Sequence, residues 1–372
     1  MFALKPIPLS SPSIAEEDIA AVVSVLRTPR LSLGPCVPEF ERAIAAYIGA
    51  KHAVAVNSGT SALHLIIRAL KISEGDEVIT TPYSFVSSAN CMLFERAIPR
   101  FVDILPDTFC IDPSKIEAAI TPKTKAILGV DVFGYLADWD RLRAIAKKHG
   151  LALIEDSCEA LGSKRNGTMA GTFGDCGTFA FYPNKQMTTG EGGIIVTDRD
   201  DIAASARAQR NQGRDPEATW LEHRELGFNY RLSDINCALG TSQLKRLPEF
   251  ISKRAHIVSL YAEALAPLRE HLQTPAAQKG VDVSWFVYVV RLQDASRRED
   301  VMQRLRDADI GCANYFPCIH LQPFYRAMFG FTGGEFPVAE DVSARSIALP
   351  FFTGLTQEQV KHVAAALTHA LH

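Results

Sequence analysis

Residues 151–196 read LALIEDSCEALGSKRNGTMAGTFGDCGTFAFYPNKQMTTGEGGIIV, and the fold class follows from this stretch. It holds three short apolar runs: Leu151-Ala152-Leu153-Ile154, Gly177-Thr178-Phe179-Ala180-Phe181-Tyr182 and Ile194-Ile195-Val196. Continuous apolar runs of this length, bounded by Gly and Pro, predict strands covered on both faces, although a buried helix segment has the same pattern. Two charged residues fall just past the run ends, Asp156 in Glu155-Asp156-Ser157 and Lys185 in Pro183-Asn184-Lys185. Ligands of open α/β sheets collect beyond the carboxyl ends of strands, so the two are candidates for one site. Singly each has an ordinary reading, Asp156 as a helix N-cap and Lys185 as a solvated loop charge. As a pair they suit pyridoxal phosphate. A lysine in a dry pocket can condense with its aldehyde, and an ionised aspartate nearby can hold its pyridine nitrogen protonated.

Working outward toward the N-terminus, Ile14 to Leu26 and Pro38 to Ile48 carry apolar residues at helical spacing. A strand, Ala53-Val54-Ala55-Val56, then runs into Asn57-Ser58-Gly59-Thr60-Ser61 and a helix from Ala62 to Leu70. A small-residue turn opening a helix offers free N–H groups and a partial positive charge to an anion, and Gly59 admits close backbone approach. A simple Ser/Thr cap with no ligand reads equally well. The turn is neither a Walker loop nor a Gly-x-Gly-x-x-Gly fingerprint, so it suits one phosphate better than a dinucleotide. Next come strand Glu77 to Thr80 and helix Val86 to Glu95, with Phe85 at their junction, placed to stack on a planar cofactor or to pack in the core. Strand Arg100 to Ile104, helix Pro113 to Ile120, strand Ala126 to Val130 and helix Trp139 to His149 continue the alternation. Such alternation predicts an α/β fold, a mostly parallel sheet flanked by helices on both faces.

Beyond the central stretch, Asp201 to Arg210 is helical and Asn211 to His223 is a polar loop. A helix opening near Asp234 is expected to end about Leu244, and a second, from Leu247 to about Glu270, to bridge to another unit. Strands at Trp285 to Leu292 and Ile310 to Tyr315, with helices at Arg298 to Asp307, Val338 to Ser346 and Gln357 to Leu371, form a smaller C-terminal α/β unit. The expected division is therefore 1–246, a large cofactor-binding domain, and 247–372, a small domain.

Composition removes several function classes. The net charge is only −3 and no basic run resembles a nucleic-acid tract. No apolar stretch reaches the roughly 18 residues of a membrane span. Met1 to Ser10 lacks the pattern of a signal peptide. The eight cysteines are scattered without a Cys-x-x-Cys pair, and the ten histidines contain no His-x-x-x-His pair. These features predict a reducing cytoplasm and no metal site.

Across nearly its whole length the chain resembles the DegT/StrS family of nucleotide-sugar aminotransferases, in its perosamine-synthase-like branch. These are fold-type-I pyridoxal-phosphate enzymes. The resemblance is carried by Leu33-Gly34-Pro35, Asn57-Ser58-Gly59-Thr60-Ser61-Ala62-Leu63, Glu155-Asp156, Gly174-Asp175, Phe181-Tyr182-Pro183-Asn184-Lys185 and Thr189-Gly190-Glu191-Gly192-Gly193. It continues through Asn229-Tyr230-Arg231-Leu232, Tyr315-Phe316-Pro317-Cys318-Ile319-His320-Leu321-Gln322-Pro323, Phe336-Pro337-Val338-Ala339-Glu340 and Leu349-Pro350. The resemblance implies that Lys185 bonds to the cofactor, Asp156 holds the pyridine nitrogen, Phe85 stacks on the ring, and Gly59 and Thr60 contact the phosphate. It also implies a homodimer with shared sites, in which Asn229 reaches the phosphate of the other subunit. Arg231 is expected to anchor the glutamate carboxylate or the sugar diphosphate, since a planar fork suits both. Tyr315 and His320 are expected to face the nucleotide-sugar pocket.

Three positions depart from the family pattern. Ala180 stands where many members carry Ser, so one hydroxyl to the phosphate is missing. Glu159 replaces the usual Gln or His beside the cofactor phenolic oxygen, a contact that needs a shared proton. Asp131 replaces a frequent His, which leaves the sugar open. The expected reaction moves an amino group from L-glutamate, through the pyridoxamine form, to a keto sugar on a nucleotide diphosphate, and 2-oxoglutarate leaves. A 4-keto-6-deoxyhexose is favoured by analogy with the perosamine branch. Two alternatives compete: a pyridoxamine-dependent sugar 3-dehydratase, whose members carry His at the lysine position, and a regulatory or binding member without turnover.

Overall fold

The computed structural model describes residues 6–214 and 222–372. Residues 1–5, and residues 215–221 of the expected polar loop, lie outside the described residues. In chain order come α1 (Glu16–Leu26), α2 (Cys36–Ile48), β1 (His52–Val56), α3 (Gly59–Ala69), β2 (Glu77–Thr80), α4 (Ser87–Leu93) and β3 (Ile98–Phe101). A one-turn α5 (Ile116–Ala119), β4 (Thr124–Val130), α6 (Trp139–His149) and β5 (Ala152–Asp156) follow. A short ribbon of β6 (Lys164–Arg165) and β7 (Thr168–Met169) leads to β8 (Cys176–Ala180), β9 (Gly193–Thr197) and α7 (Asp200–Arg210). Seven strands make the main sheet in the order β1-β9-β8-β5-β4-β2-β3. Strands β8, β5, β4, β2 and β3 pair in parallel, whereas β9 runs antiparallel to both its neighbours, β1 and β8. Helix α3 packs on β8 and β9, α6 on β4 and β5, and α2 and α7 on β1. The sheet interior is apolar on both faces: Val54 to Val56, Ile127, Leu128, Ile154, Phe179, Ile194 and Ile195 are all buried, as expected for parallel strands under helices.

The two helices expected on either side of residue 246 are one helix, α8 (Asp234–Leu265), with Pro248 inside it. Proline removes one N–H and crowds the preceding turn. Here the helix continues because Leu244, Leu247, Phe250, Ile257, Tyr261 and Leu265 bury a continuous face on both sides of the proline. The expected boundary at 246 therefore falls within a continuous helix. After it come β10 (Leu272–Gln273), β11 (Val281–Asp282), β12 (Tyr288–Leu292), α9 (Arg298–Asp307), α10 (Pro323–Phe329), α11 (Pro337–Arg345), β13 (Ser346–Leu349) and α12 (Gln357–Leu371). Strands β10, β12 and β13 form a second sheet, antiparallel throughout. The strand expected over Ile310 to Tyr315 is reduced to isolated bridges, Ile310 with Ile7 and Ala313 with Ala348. Strand β13 pairs beside β12; of its residues only Ser346 falls within an expected element, the end of the helix Val338 to Ser346. Among the contacts that stitch the C-terminal region to the rest of the chain, β11 pairs with β6, and Ile7 bonds across to Asp309 and Gly311. No helix among the described residues is long and apolar enough to cross a membrane.

Candidate active site

Strand β1 ends in Val56, and α3 starts three residues later, at Gly59 rather than at Ala62. Ser58 caps it, its hydroxyl accepting from the Ser61 N–H at 3.1 Å. The first-turn amides of α3 therefore lie within the Gly59-Thr60-Ser61 turn itself, where an anion gains most from them. Space there is tight. A Cβ on Gly59 would lie 2.9 Å from the Ala180 Cβ and 3.0 Å from the Cys158 Sγ, and one on Gly193 would strike the Ser58 carbonyl. Glycine at both positions lets the turn sit against the ends of β8 and β9. Ala180 thus faces the helix start.

A cavity of about 520 Å³ opens beside this turn. Gly59, Thr60, Phe85, Asp156, Glu159, Lys185 and Tyr315, all singled out from sequence, line it. Phe85 is 59% exposed, so it is not a core residue. Thr60 shares a hydrogen bond with Ser87, Oγ to Oγ 2.6 Å. Asp156 is the last residue of β5 and is buried, but no helix follows for it to cap. Its Oδ2 accepts from Ser88 Oγ at 2.7 Å and its Oδ1 from the Cys158 N–H at 3.2 Å. Since the one Ser88 proton goes to the carboxylate, the Ser84 hydroxyl, 2.8 Å away, donates to Ser88. All these donors are neutral, and no cation pairs with Asp156 among the described residues. A buried carboxylate held this way favours a positively charged N–H donor in the cavity, which a protonated pyridine supplies.

Lys185 follows β8 through the turn Tyr182-Pro183-Asn184, its own N–H donating to the Tyr182 carbonyl at 2.9 Å. Its Nζ lies 3.4 Å from Glu159 Oε1 and 3.9 Å from the centre of the Phe286 ring. The other Glu159 oxygen accepts from the Phe133 N–H at 3.0 Å. Burial pushes the Glu159 carboxyl above its ordinary value. The charge of Lys185 and the Phe133 N–H oppose that shift, and Asp156 adds to it. Tyr315 accepts from Asn184 Nδ2 at 3.2 Å, and burial raises its phenol to about 12, so it stays a neutral donor.

The remaining expected residues lie elsewhere. His320 is fully buried and does not line the cavity. Its ring is boxed in by Phe101, Phe331 and Phe336, and Nε2 is 3.0 Å from Glu340. Glu340 in turn accepts the N–H groups of Gly334 and Phe336, so the cluster clamps a loop. Asn229 is exposed and bridged to Asn211, and Arg231 Nη1 donates to Asn211 Oδ1 at 3.0 Å; neither lines this chain's cavity. Asp131 turns into the core, accepting from the Ala137 N–H, Trp139 Nε1 and Ser157 Oγ. Burial, with Glu155 beside it, raises its carboxyl. It organises the loop after β4 and does not touch the cavity. Conversely, Phe286, Tyr182 and Ser88 line the cavity without being candidates from sequence, although Tyr182 lies within the motif that ends in Lys185.

The chain is similar to several known proteins over nearly its whole length. The profile of the DegT/DnrJ/EryC1/StrS aminotransferase family matches residues 12–368. GDP-perosamine synthase of Caulobacter vibrioides is 38% identical over 376 residues, covering 100% of both chains. Among solved structures, PseC of Helicobacter pylori, an aminotransferase involved in the biosynthesis of pseudoaminic acid, superposes with a TM-score of 0.93. It is 30% identical and 99% of each chain is covered. NtdA of Bacillus subtilis, with bound cofactor PMP, gives a TM-score of 0.87 at 29% identity, covering 96% of this chain and 81% of that one.

Proposed function

This chain belongs to the DegT/DnrJ/EryC1/StrS aminotransferase family, and from that premise we propose that it moves the amino group of L-glutamate to a 4-keto-6-deoxyhexose carried on a nucleotide diphosphate. It is a pyridoxal-phosphate-dependent sugar aminotransferase that cycles through the pyridoxamine form. The donor and the sugar are the proposal. Similarity over both full lengths to a GDP-perosamine synthase supports that choice of sugar. The observation that carries the reading is the meeting, in one cavity, of a lysine after β8 with a buried aspartate at the end of β5 that lacks a cation. A lysine at position 185 disfavours the 3-dehydratase alternative.

The cofactor, when bound, supplies an aldehyde that accepts amino groups and a protonated ring that takes up electrons from the substrate carbon. The protein's own groups divide the remaining work. Asp156, oriented by Ser88 and the Cys158 N–H, would hold the proton on the ring nitrogen. The α3 amides at Gly59 and Thr60 would hold the phosphate and Phe85 would hold the ring. Lys185 Nζ would act as the base that takes the proton from the glutamate Cα. Glu159 at 3.4 Å holds or returns the lysine proton.

The site draws on a second copy of the chain. Among the residues lining the cavity Lys185 is the one cation, against Asp156, Glu159 and Glu191. Glutamate and a sugar diphosphate are both anionic, so further positive charge has to come from outside this cavity. Asn229 and Arg231, which lie outside it, are assigned to the partner's site in a homodimer. Mixing the loaded protein with L-glutamate tests the donor. The expected outcome is loss of the cofactor's visible absorbance with equimolar release of 2-oxoglutarate. Retained absorbance and no keto acid would remove glutamate. Supplying a nucleotide-linked 4-keto-6-deoxyhexose should then yield an amino sugar nucleotide by mass spectrometry.

A further inference from the structure

Arg254 lies on α8, is 3% exposed, and has no carboxylate within ion-pair distance among the described residues. Burial draws its guanidinium down to about 10, which leaves it a cation at neutral pH. A buried charge without a counter-ion is costly unless its hydrogen bonds are well met. Every hydrogen bond it makes goes to a main-chain carbonyl, two of them at Asn184 and Lys185 and two at Trp285 and Phe286. Nη2 donates to the Lys185 carbonyl at 3.0 Å and the Asn184 carbonyl at 3.5 Å. Nη1 donates to the Phe286 carbonyl at 2.9 Å and the Trp285 carbonyl at 3.4 Å. Nε has no hydrogen-bond partner, and the guanidinium carbon lies 5.3 Å from the centre of the Phe351 ring, so these four carbonyls and that ring face are what meet the charge.

The two peptide pairs come from distant parts of the chain, the turn after β8 and the segment leading into β12. Their side chains meet in the cavity, where Lys185 Nζ lies 3.9 Å from the centre of the Phe286 ring. Gln186 reinforces the same junction, its Nε2 donating to the Glu159 carbonyl at 2.6 Å and the Ser284 carbonyl at 3.0 Å. A planar fork spans two peptide pairs, whereas an ammonium on a flexible stem does not hold both in fixed register.

We propose that Arg254 is a positioning residue, gripping the backbone at Lys185 and Phe286 from behind so that the Lys185 amine is held against the aromatic ring and aimed into the cavity. Arg254 does not line that cavity and touches neither cofactor nor substrate. The inference rests on Lys185 being the group that captures the cofactor aldehyde, a step that forms one C=N bond and releases one water.

The test compares two ligands of the cofactor-free full-length protein. Pyridoxal phosphate capture, followed by the rise of visible absorbance, needs an aimed lysine. Pyridoxamine phosphate binding, followed by fluorescence, uses the same pocket without that bond. For Arg254→Lys the capture rate should fall about tenfold while pyridoxamine phosphate affinity stays within about twofold, since misaim of a reacting group penalises bond formation. Arg254→Met should be at least as slow. If its circular dichroism shows that it does not fold, Arg254→Lys decides alone. Capture by Arg254→Lys at the wild-type rate overturns the proposal, as does an equal loss in both ligands, which would mean a loosened pocket. Lys185→Ala separates this outcome from the underlying assignment: visible capture persisting there would displace Lys185 itself, whatever the Arg254 variants do.

Discussion

Glu159 places a carboxyl oxygen 3.4 Å from the Lys185 amine, the proposed reacting group. Its ordinary value is 4.5; burial raises it first, with Asp156 adding and Lys185 opposing. A carboxyl whose folded value is raised contributes stability in full below pH 4.5 and loses it as the pH climbs through the folded value. Urea midpoints of the cofactor-free protein, followed from pH 4.5 toward neutrality, should therefore decline more in wild type than in Glu159→Gln. Parallel curves would mean that this carboxyl does not titrate with folding. At this scale, legibility tracked local pattern. Lys185, Asp156, Gly59, Thr60 and Phe85 each adjoin a strand end or a helix start, and all line one cavity. Phe286 and Arg254 reach the same place from remote segments, and nothing in their neighbours' identity marks them. The burial of His320 is equally illegible locally, because two of the rings that enclose it, Phe101 and Phe331, lie outside the motif around it.

Between elements, the start of α8 is joined to the start of α2. Asp234 is fully buried, and its carboxylate accepts from the Gly34 N–H at 2.8 Å and the Cys36 N–H at 2.9 Å. It thus meets the positive end of α2 as well as that of its own helix. A Cβ at Gly34 would lie 2.6 Å from Asp234 Oδ1, so the contact needs glycine there. Asp234→Ala leaves two donors unmet and should cost about 1–3 kcal/mol by urea denaturation, with Asp234→Asn losing less. An unchanged midpoint would refute that role. The helix and strand alternation through β5 was readable because each element carries its own period. The continuity of α8 through Pro248 was not, since proline signals a break and only packing along a whole face overrides it. Strand β13 escaped for a related reason: its four residues are too short to show a period, and β12 is what makes them a strand.

For the whole molecule, the division of residues between the chain's own cavity and its surface predicts complementation. Lys185→Ala and Asn229→Asp chains should each be inactive alone. When the two are mixed under exchange, half of the sites in every hybrid dimer regain both residues, giving about a quarter of wild-type activity per chain if assembly is random and two-fold. Absence of recovery, with hybrids confirmed by mass, would place Asn229 in its own chain's site. The order of the main sheet was hidden from sequence because β1 pairs with β9, the one strand in that sheet that runs against its neighbours. That pairing bears on how the protein is made. A ribosome delivers the first strand long before its mate, and until residues 193–197 emerge, β1 has no hydrogen-bonding neighbour in the sheet. The anion turn that follows it meanwhile lacks the backbone of Gly193 that closes against Ser58. A nascent chain stalled short of that point leaves an apolar strand unpaired, the kind of edge that invites aggregation. If the turn receives the cofactor, its capture comes late in synthesis, after most of the large sheet.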